Sequence, residues 1–396
     1  MRGSAESGQV DEVLLGRFKT EVWSRVPHFE KGEVINPTPL LDITSTLKES
    51  AGSIYGLDVS DREFRVFGKF EAQIFGGSVK VRPAVQILYD AIESGRLRRG
   101  QTVFEVTSGN FGIALGVLAG MGLDVVALVS STLKEGVLEQ LEASRVKTVV
   151  LDFDIRPASD MKVNPNVLVA KAVASGMRSR LQVLGLDVGV FDSSRREIES
   201  LLARQDVISL AKLLAKVYAG FCPQQYDNQL NVAAHEKTTA PEIDGQLRGF
   251  GRTLADAKIV CTFGTGGTAG GLCRYVERRY HRKSVHMVFP LDNQDVSGIR
   301  TRKAAKGLKF YEPSLYASQY EVDFQQARLL MRHMAVRGHD IGESSALALY
   351  AVLQMADDGV KGDFVVILPD GVEKYRKTLE PEQDPSGRFV ATRSPL

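Results

Sequence analysis

Short apolar runs alternate with helical patterns through most of the chain. TVFEV (102–106) is followed by the helical FGIALGVLAGMG, then by LDVVALV (123–129), a helix ending near Ser144, and KTVVLD. The alternation returns with AKIVCTF (257–263), a helix through Arg279, SVHMVFP (284–290), helices over Phe324 to Arg337 and Ser344 to Asp357, and DFVVILP (363–369). Strands separated by helices at this spacing predict βαβ units and parallel sheets, so the fold class is α/β with two such regions in succession. Residues 155–220 differ: a polar start with Pro157, Pro165 and Asn166 leads into helical patterns at VLVAKAVAS, REIESLLAR and VISLAKLLAKVYA, with no strand from Asp192 to Val217. The tails, 1–34 and about 380–396, mix charge with Pro and Ser and are expected to frame the fold.

Composition narrows the function classes. Of 396 residues, 50 are Lys or Arg and 48 Asp or Glu, a formal net charge of +2 that argues against a nucleic-acid partner held by bulk charge. The basic run Arg278 to Lys283 lies at a predicted helix end, where positive charge complements the helix dipole. With 43% hydrophobic residues the chain can bury a sizeable core. The most apolar stretch, Phe111 to Ser130, is divided by Gly120, Gly122 and Asp124 into helix, turn and strand, so no membrane span is called for. No signal peptide is read at the N-terminus, and three scattered cysteines suit a reducing, cytoplasmic setting. The six histidines include no i, i+4 pair and no cysteine at ligand spacing, so no metal site is expected.

Three strand-to-helix junctions carry the candidate chemistry. Gly264-Thr265-Gly266-Gly267-Thr268-Ala269-Gly270-Gly271 follows AKIVCTF and opens a helix, so its N–H groups can converge on a phosphate; the bland reading is a tight turn. Its spacing does not match a Walker loop. Gly76-Gly77-Ser78-Val79-Lys80 puts a lysine at a helix start, which favours the neutral amine that Schiff-base chemistry needs, although most lysines are solvated surface charges. Thr107-Ser108-Gly109-Asn110 bunches donors at a helix start, either as a carboxylate-sized anion site or as an N-cap. All three would lie at the carboxyl ends of sheet strands, where open α/β folds place ligands.

In order and spacing these segments, together with Thr38-Pro39-Leu40, HEKTTAPEI (235–243) and LPDGVEKY ending at Tyr375, resemble the pyridoxal-phosphate enzymes of the cysteine synthase and cystathionine β-synthase family. The resemblance implies two α/β units with the cofactor in the cleft between them: residues 74–228, carrying the helical insertion at about 155–220, and residues 1–73 plus 229–396, carrying the phosphate loop. It makes Lys80 the Schiff-base lysine and general base, Asn110 the partner of the ring hydroxyl, and Gly264, Thr265, Gly266, Gly267 and Thr268 the phosphate cradle. Thr107, Ser108, Gly109, Asn110 and Gln225 become the grip on the substrate carboxylate. The implied chemistry is β-replacement on an activated serine through an α-aminoacrylate. A homodimer is implied as well, with Trp23 as an anchor on the body or on the partner.

Several positions depart from the family pattern. Ile74-Phe75 and Val81 make the wall beside Lys80 more apolar, and Ala346 replaces a glycine. Asp370, where relatives place Ser or Thr, either meets the pyridine nitrogen or points away. Arg300 after Gly298-Ile299 offers a planar fork to a phosphate, which favours O-phospho-L-serine over O-acetyl-L-serine, with Arg302 or Lys303 as assistants. Sulfide is the default nucleophile, giving L-cysteine; an amino-acid or other nitrogen nucleophile is the alternative. A serine-ester lyase and a non-catalytic binding protein are the rival classes.

Overall fold

The structure is a computed structural model that describes residues 9–151 and 167–375. Its strands are β1 (His28–Glu30), β2 (Glu33–Ile35), β3 (Leu40–Asp42), β4 (Phe64–Phe70), β5 (Thr102–Val106), β6 (Asp124–Ser130), β7 (Lys147–Leu151), β8 (Ala257–Thr262), β9 (Val285–Pro290), β10 (Ser318–Val322) and β11 (Gly362–Leu368). β1 and β2 form a small antiparallel hairpin. The larger sheet runs β10-β9-β8-β11-β4-β3, parallel throughout except for β3, which is antiparallel to β4 at one edge. The smaller sheet is β5-β6-β7, all parallel.

Burial on both faces explains the apolar strands. Along β6, Val125, Ala127 and Val129 enter one core while Val126 and Leu128 enter another, the alternation a pleated strand imposes. The first of these cores holds the helix Val81–Glu93, whose Val81, Ala84, Val85, Leu88 and Ile92 recur at helical spacing along its buried face. The helices of the insertion cover the opposite face: Phe191, Ile198, Leu202, Leu210 and Leu214 share a core with Phe104, Leu128 and Val149. That core continues without a break to Ile259 and Val365 of the larger sheet. The polar start of the insertion, with Pro157, Pro165 and Asn166, lies outside the described residues.

Phe221, after the last insertion helix, pairs with β5 as an isolated parallel bridge: its N–H donates to Thr102 at 2.9 Å and its carbonyl accepts from Phe104 at 2.8 Å. One correction to the expected division concerns the N-terminus. The helix Glu12–Glu21 packs with Val81–Glu93 through Leu14, Leu15 and Phe18, so it belongs with the smaller sheet and not with the later unit to which residues 1–73 were assigned. The apolar stretch 111–130 divides as expected, with Gly122 in the left-handed region (φ 81°) between helical turns and β6. No helix among the described residues is long and apolar enough to cross a membrane.

Candidate active site

The lysine segment is tied to the end of β11. Ser78 bridges Asp370, and the Val79 N–H donates to the Pro369 carbonyl at 2.8 Å, so Lys80 emerges where the large sheet ends and the helix Val81–Glu93 begins. A methyl group built on Gly264 would stand 3.7 Å from Lys80 Nζ, which places the amine against the glycine loop. Burial first, and the Arg300 guanidinium second, push this amine from the usual 10.5 down to about 8, with Asp370 opposing.

At the end of β5 the donors are arranged by their own loop. Thr107 Oγ1 accepts from the N–H groups of Gly109 at 3.0 Å and Gly112 at 3.2 Å, so this hydroxyl shapes the loop in the manner of a cap. Gly109 sits at φ 127°, and a Cβ there would fall 2.2 Å from Val137 Cγ1. Thr107, Ser108 and Asn110 all line the cleft. Gln225 is nearly buried: its Nε2 donates to the Val106 carbonyl at 2.9 Å and its N–H to Glu105 Oε2 at 3.2 Å. Burial raises the Glu105 carboxyl to about 8, against the pull of the backbone N–H groups of Gln225, Val106 and Gln224.

The loop after β8 leads into the helix Gly267–Tyr280, with Gly266 as its left-handed cap (φ 89°). Asn231 Nδ2 donates to Thr265 Oγ1 at 2.9 Å and to the Gln225 carbonyl at 2.7 Å, linking two walls of the cleft. A Cβ on Gly267 would meet Asn231 Oδ1 at 2.0 Å, so only glycine brings the backbone this close. Thr268 Oγ1 lies 3.3 Å from His235 Nε2, and burial holds that imidazole well below its usual pKa, hence neutral.

One cleft is lined by Lys80, Ser108, Asn110, Gln225, the loop Gly264 to Thr268, Gly298 and Ser344. A second cleft shares Thr107, Ser108, Ser297 and Gly298 with it and adds Lys134, Tyr226, Asp295 and Arg300. Arg300 is held by its backbone N–H to the Phe263 carbonyl at 2.8 Å and by Nη2 to the Tyr226 hydroxyl at 3.1 Å, while its buried Nε has no partner among the described residues. Lys134, by contrast, is paired with Glu343.

Two expectations change. Asp370 does not line the cleft: its Oδ2 accepts from Asn110 Nδ2 and from the Tyr375 hydroxyl, both at 2.8 Å, which sets it behind Asn110. Ser344, in the first turn of the helix Glu343–Asp357, lines the cleft together with Thr107, Ser108, Thr262, Thr265, Thr268 and Ser297. Arg302 faces Glu321 at 3.7 Å and Lys303 is exposed, and neither lines either cleft. Sequence reasoning also passed over Lys134, Tyr226, Asn231 and Lys374. Lys374 had a local signal in the motif VEKY, and Tyr226 and Asn231 in the segment 224–231 that carries Gln225, but their roles depend on pairings between distant segments.

The donor set suits a phosphate-bearing aldehyde cofactor. A lysine with a lowered pKa faces a loop whose glycines a Cβ would fill, and Asn110 and Ser344 supply polar atoms along the wall between them. Residues 35–164 and 156–370 match the family described as "Pyridoxal-phosphate dependent enzyme". The chain is 27% identical over 356 residues to a cysteine synthase of Staphylococcus aureus (strain Mu50 / ATCC 700699), covering 87% of this chain and 94% of that protein. It is 25% identical over 361 residues to a cysteine synthase of Aquifex aeolicus (strain VF5), covering 87% and 90%. Among solved structures it resembles O-ureido-L-serine synthase (TM-score 0.64, 23% identity, 88% of this chain and 93% of that one). It also resembles the O-acetylserine-dependent cystathionine β-synthase of Helicobacter pylori (TM-score 0.62, 21% identity, 86% and 94%). The chain therefore belongs to the pyridoxal-phosphate-dependent enzymes, in the cysteine synthase and cystathionine β-synthase family, and pyridoxal phosphate is its cofactor.

Proposed function

We propose that this enzyme carries out β-replacement on O-phospho-L-serine, in which the Cβ–O bond breaks and inorganic phosphate leaves, with sulfide as the incoming nucleophile and L-cysteine as the product. Bound in the cleft, the cofactor supplies the electron sink that labilises bonds at the substrate α-carbon. Lys80 anchors it and, as a neutral amine, takes the proton from that carbon; a pKa near 8 keeps a useful fraction of the amine unprotonated close to neutrality. Backbone N–H groups of Gly264 to Thr268 hold the cofactor phosphate, and Asn110 meets the ring hydroxyl. Asp370 is engaged with Asn110 and Tyr375, and the Ser344 hydroxyl, on the cleft wall, would hold the ring nitrogen. Ser108 and the loop around it, with Gln225, receive the substrate carboxylate.

The observation that carries the choice of donor is Arg300. It lines the side cleft with the Tyr226 hydroxyl, and no carboxylate among the described residues, as its side-chain partner, so its charge is free to meet a phosphate dianion. A second reading, a nitrogen nucleophile such as an amino acid, is supported by the position of that side cleft, which shares Thr107, Ser108, Ser297 and Gly298 with the main cleft. The test is kcat/KM for cysteine formation from O-phospho-L-serine and from O-acetyl-L-serine, in the parent and in Arg300→Ala. Losing a charge-assisted contact should lower the phosphoserine value roughly 30- to 100-fold and leave the acetylserine value within a few-fold. Equal losses on both donors would remove the phosphate assignment. Amino acids outcompeting sulfide in the same assay would transfer the reading to the nitrogen nucleophile.

A further inference from the structure

The short turn Val372–Tyr375 follows β11 and packs against the helix Glu135–Ala143 of the smaller unit. Lys374 in this turn is 6% exposed, and its ammonium donates to Oδ1 of Asn110. At the other end of the same amide, Asn110 Nδ2 donates to Asp370 Oδ2 at 2.8 Å. Asp370 is itself fixed, because the Gly342 N–H donates to its carbonyl at 2.9 Å and the Tyr375 hydroxyl to its Oδ2 at 2.8 Å. Lys374 and Asp370 approach to 3.6 Å, so the two buried charges also balance each other.

A cation on one side and an anion on the other leave the amide one orientation. Turned over, it would aim its NH2 at an ammonium and its carbonyl at a carboxylate. With the carbonyl held by Lys374 and one hydrogen given to Asp370, the second Nδ2 hydrogen remains for the cleft that Asn110 lines. The ammonium also polarises the amide, which makes that remaining N–H a stronger donor.

We propose that Lys374 is a positioning residue: it locks the Asn110 amide so that the cleft meets a donor, and thereby selects a cofactor ring bearing an acceptor oxygen at that point. This rests on the reading that Asn110 faces the ring hydroxyl of pyridoxal phosphate. The discriminating measurement is the affinity of the full-length apoenzyme for pyridoxal 5′-phosphate divided by its affinity for the 3-deoxy analogue. A ratio taken on one protein is insensitive to general loss of stability, which matters because Lys374→Met also strips Asp370 of its cation.

The parent should prefer the hydroxyl-bearing ligand by roughly ten-fold or more, the size of a charge-assisted hydrogen bond. Lys374→Met should bring the ratio to within about two-fold of parity, and Lys374→Arg, which keeps the cation, should restore most of it. In an Asn110→Ala background, Lys374→Met should change the ratio no further, since the lysine acts through the amide. If Lys374→Met keeps the parent ratio while Asn110→Ala loses it, the lysine has no such role and the asparagine reading stands. If Asn110→Ala keeps the parent ratio, the asparagine reading fails and this inference fails with it.

Discussion

Arg82 Nη1 donates to Glu242 Oε2 at 2.8 Å, with both side chains at most 1% exposed. The same guanidinium grips Glu71 through Nε at 2.7 Å and Nη2 at 2.8 Å, and Lys69 Nζ lies 2.5 Å from the other oxygen of Glu242. Two cations and two carboxylates thus cancel inside the protein. Arg82 stands two positions beyond Lys80 and Glu242 on the helix Ala240–Arg248, so the cluster clamps the first turn of the lysine helix to the segment that follows the cleft. Thr38 closes the group, donating its N–H to Glu242 at 2.8 Å and its hydroxyl to Glu71 at 2.8 Å.

Removing one carboxylate from this cluster leaves a buried positive charge without its counterpart. Glu242→Gln should cost about 3–5 kcal/mol of stability, the usual penalty for breaking a buried ion pair. Urea unfolding of the apoenzyme at neutral pH measures it, and a loss under about 1 kcal/mol would show that water or rearrangement rescues the cluster.

The lowered pKa of Lys80 sets a pH dependence for cofactor uptake. The neutral amine attacks the aldehyde, and its fraction rises as pH passes through about 8 and then levels off. The rate at which the apoenzyme takes up pyridoxal phosphate should therefore climb to a plateau with a midpoint near 8, well below that of an ordinary lysine. Arg300→Ala removes a cation that disfavours the ammonium, so the midpoint should move upward. A midpoint of about 10 in the parent would contradict the buried amine.

Close approach at the phosphate loop has its own consequence. Since a Cβ on Gly267 meets Asn231 Oδ1 at 2.0 Å, Gly267→Ala must push the loop or the asparagine aside. Cofactor affinity should fall by roughly ten-fold or more, as expected when one or two phosphate contacts are misplaced. Far-UV circular dichroism should stay unchanged. Equilibrium titration of the apoenzyme reads the first and the spectrum the second; undiminished affinity would mean the loop has slack that the geometry does not suggest.

Much of the architecture was legible because its signals are local. TVFEV reads as a strand from its apolar residues and as a site from the Thr107-Ser108-Gly109-Asn110 that follows, and the structure places β5 at 102–106 with that loop after it. GTGGT is legible for the same reason, since glycines that let a backbone approach closely lie next to one another in the chain. The helical insertion was legible as helices but not as a cover. Its apolar faces carry no mark of which sheet they will meet, and Leu214 finds Phe104 only when the chain returns at Phe221 to the edge of β5.

Asp370 shows the limit most clearly. Its neighbours in sequence place it at the end of a strand near the cofactor, and from there a carboxylate aimed at the ring nitrogen is a fair expectation. Which way it turns depends on Asn110 and Tyr375, and Asn110 is 260 positions away. The order of strands and helices, the lysine at its helix start and the glycine-rich loops follow from the sequence alone, because period, glycine and local donors act over a few residues. The partners of the buried charges, Arg82 with Glu242 and Asn110 between Lys374 and Asp370, were decided by the tertiary structure, because a charge taken out of water must find its counterpart in space, wherever the chain happens to supply it.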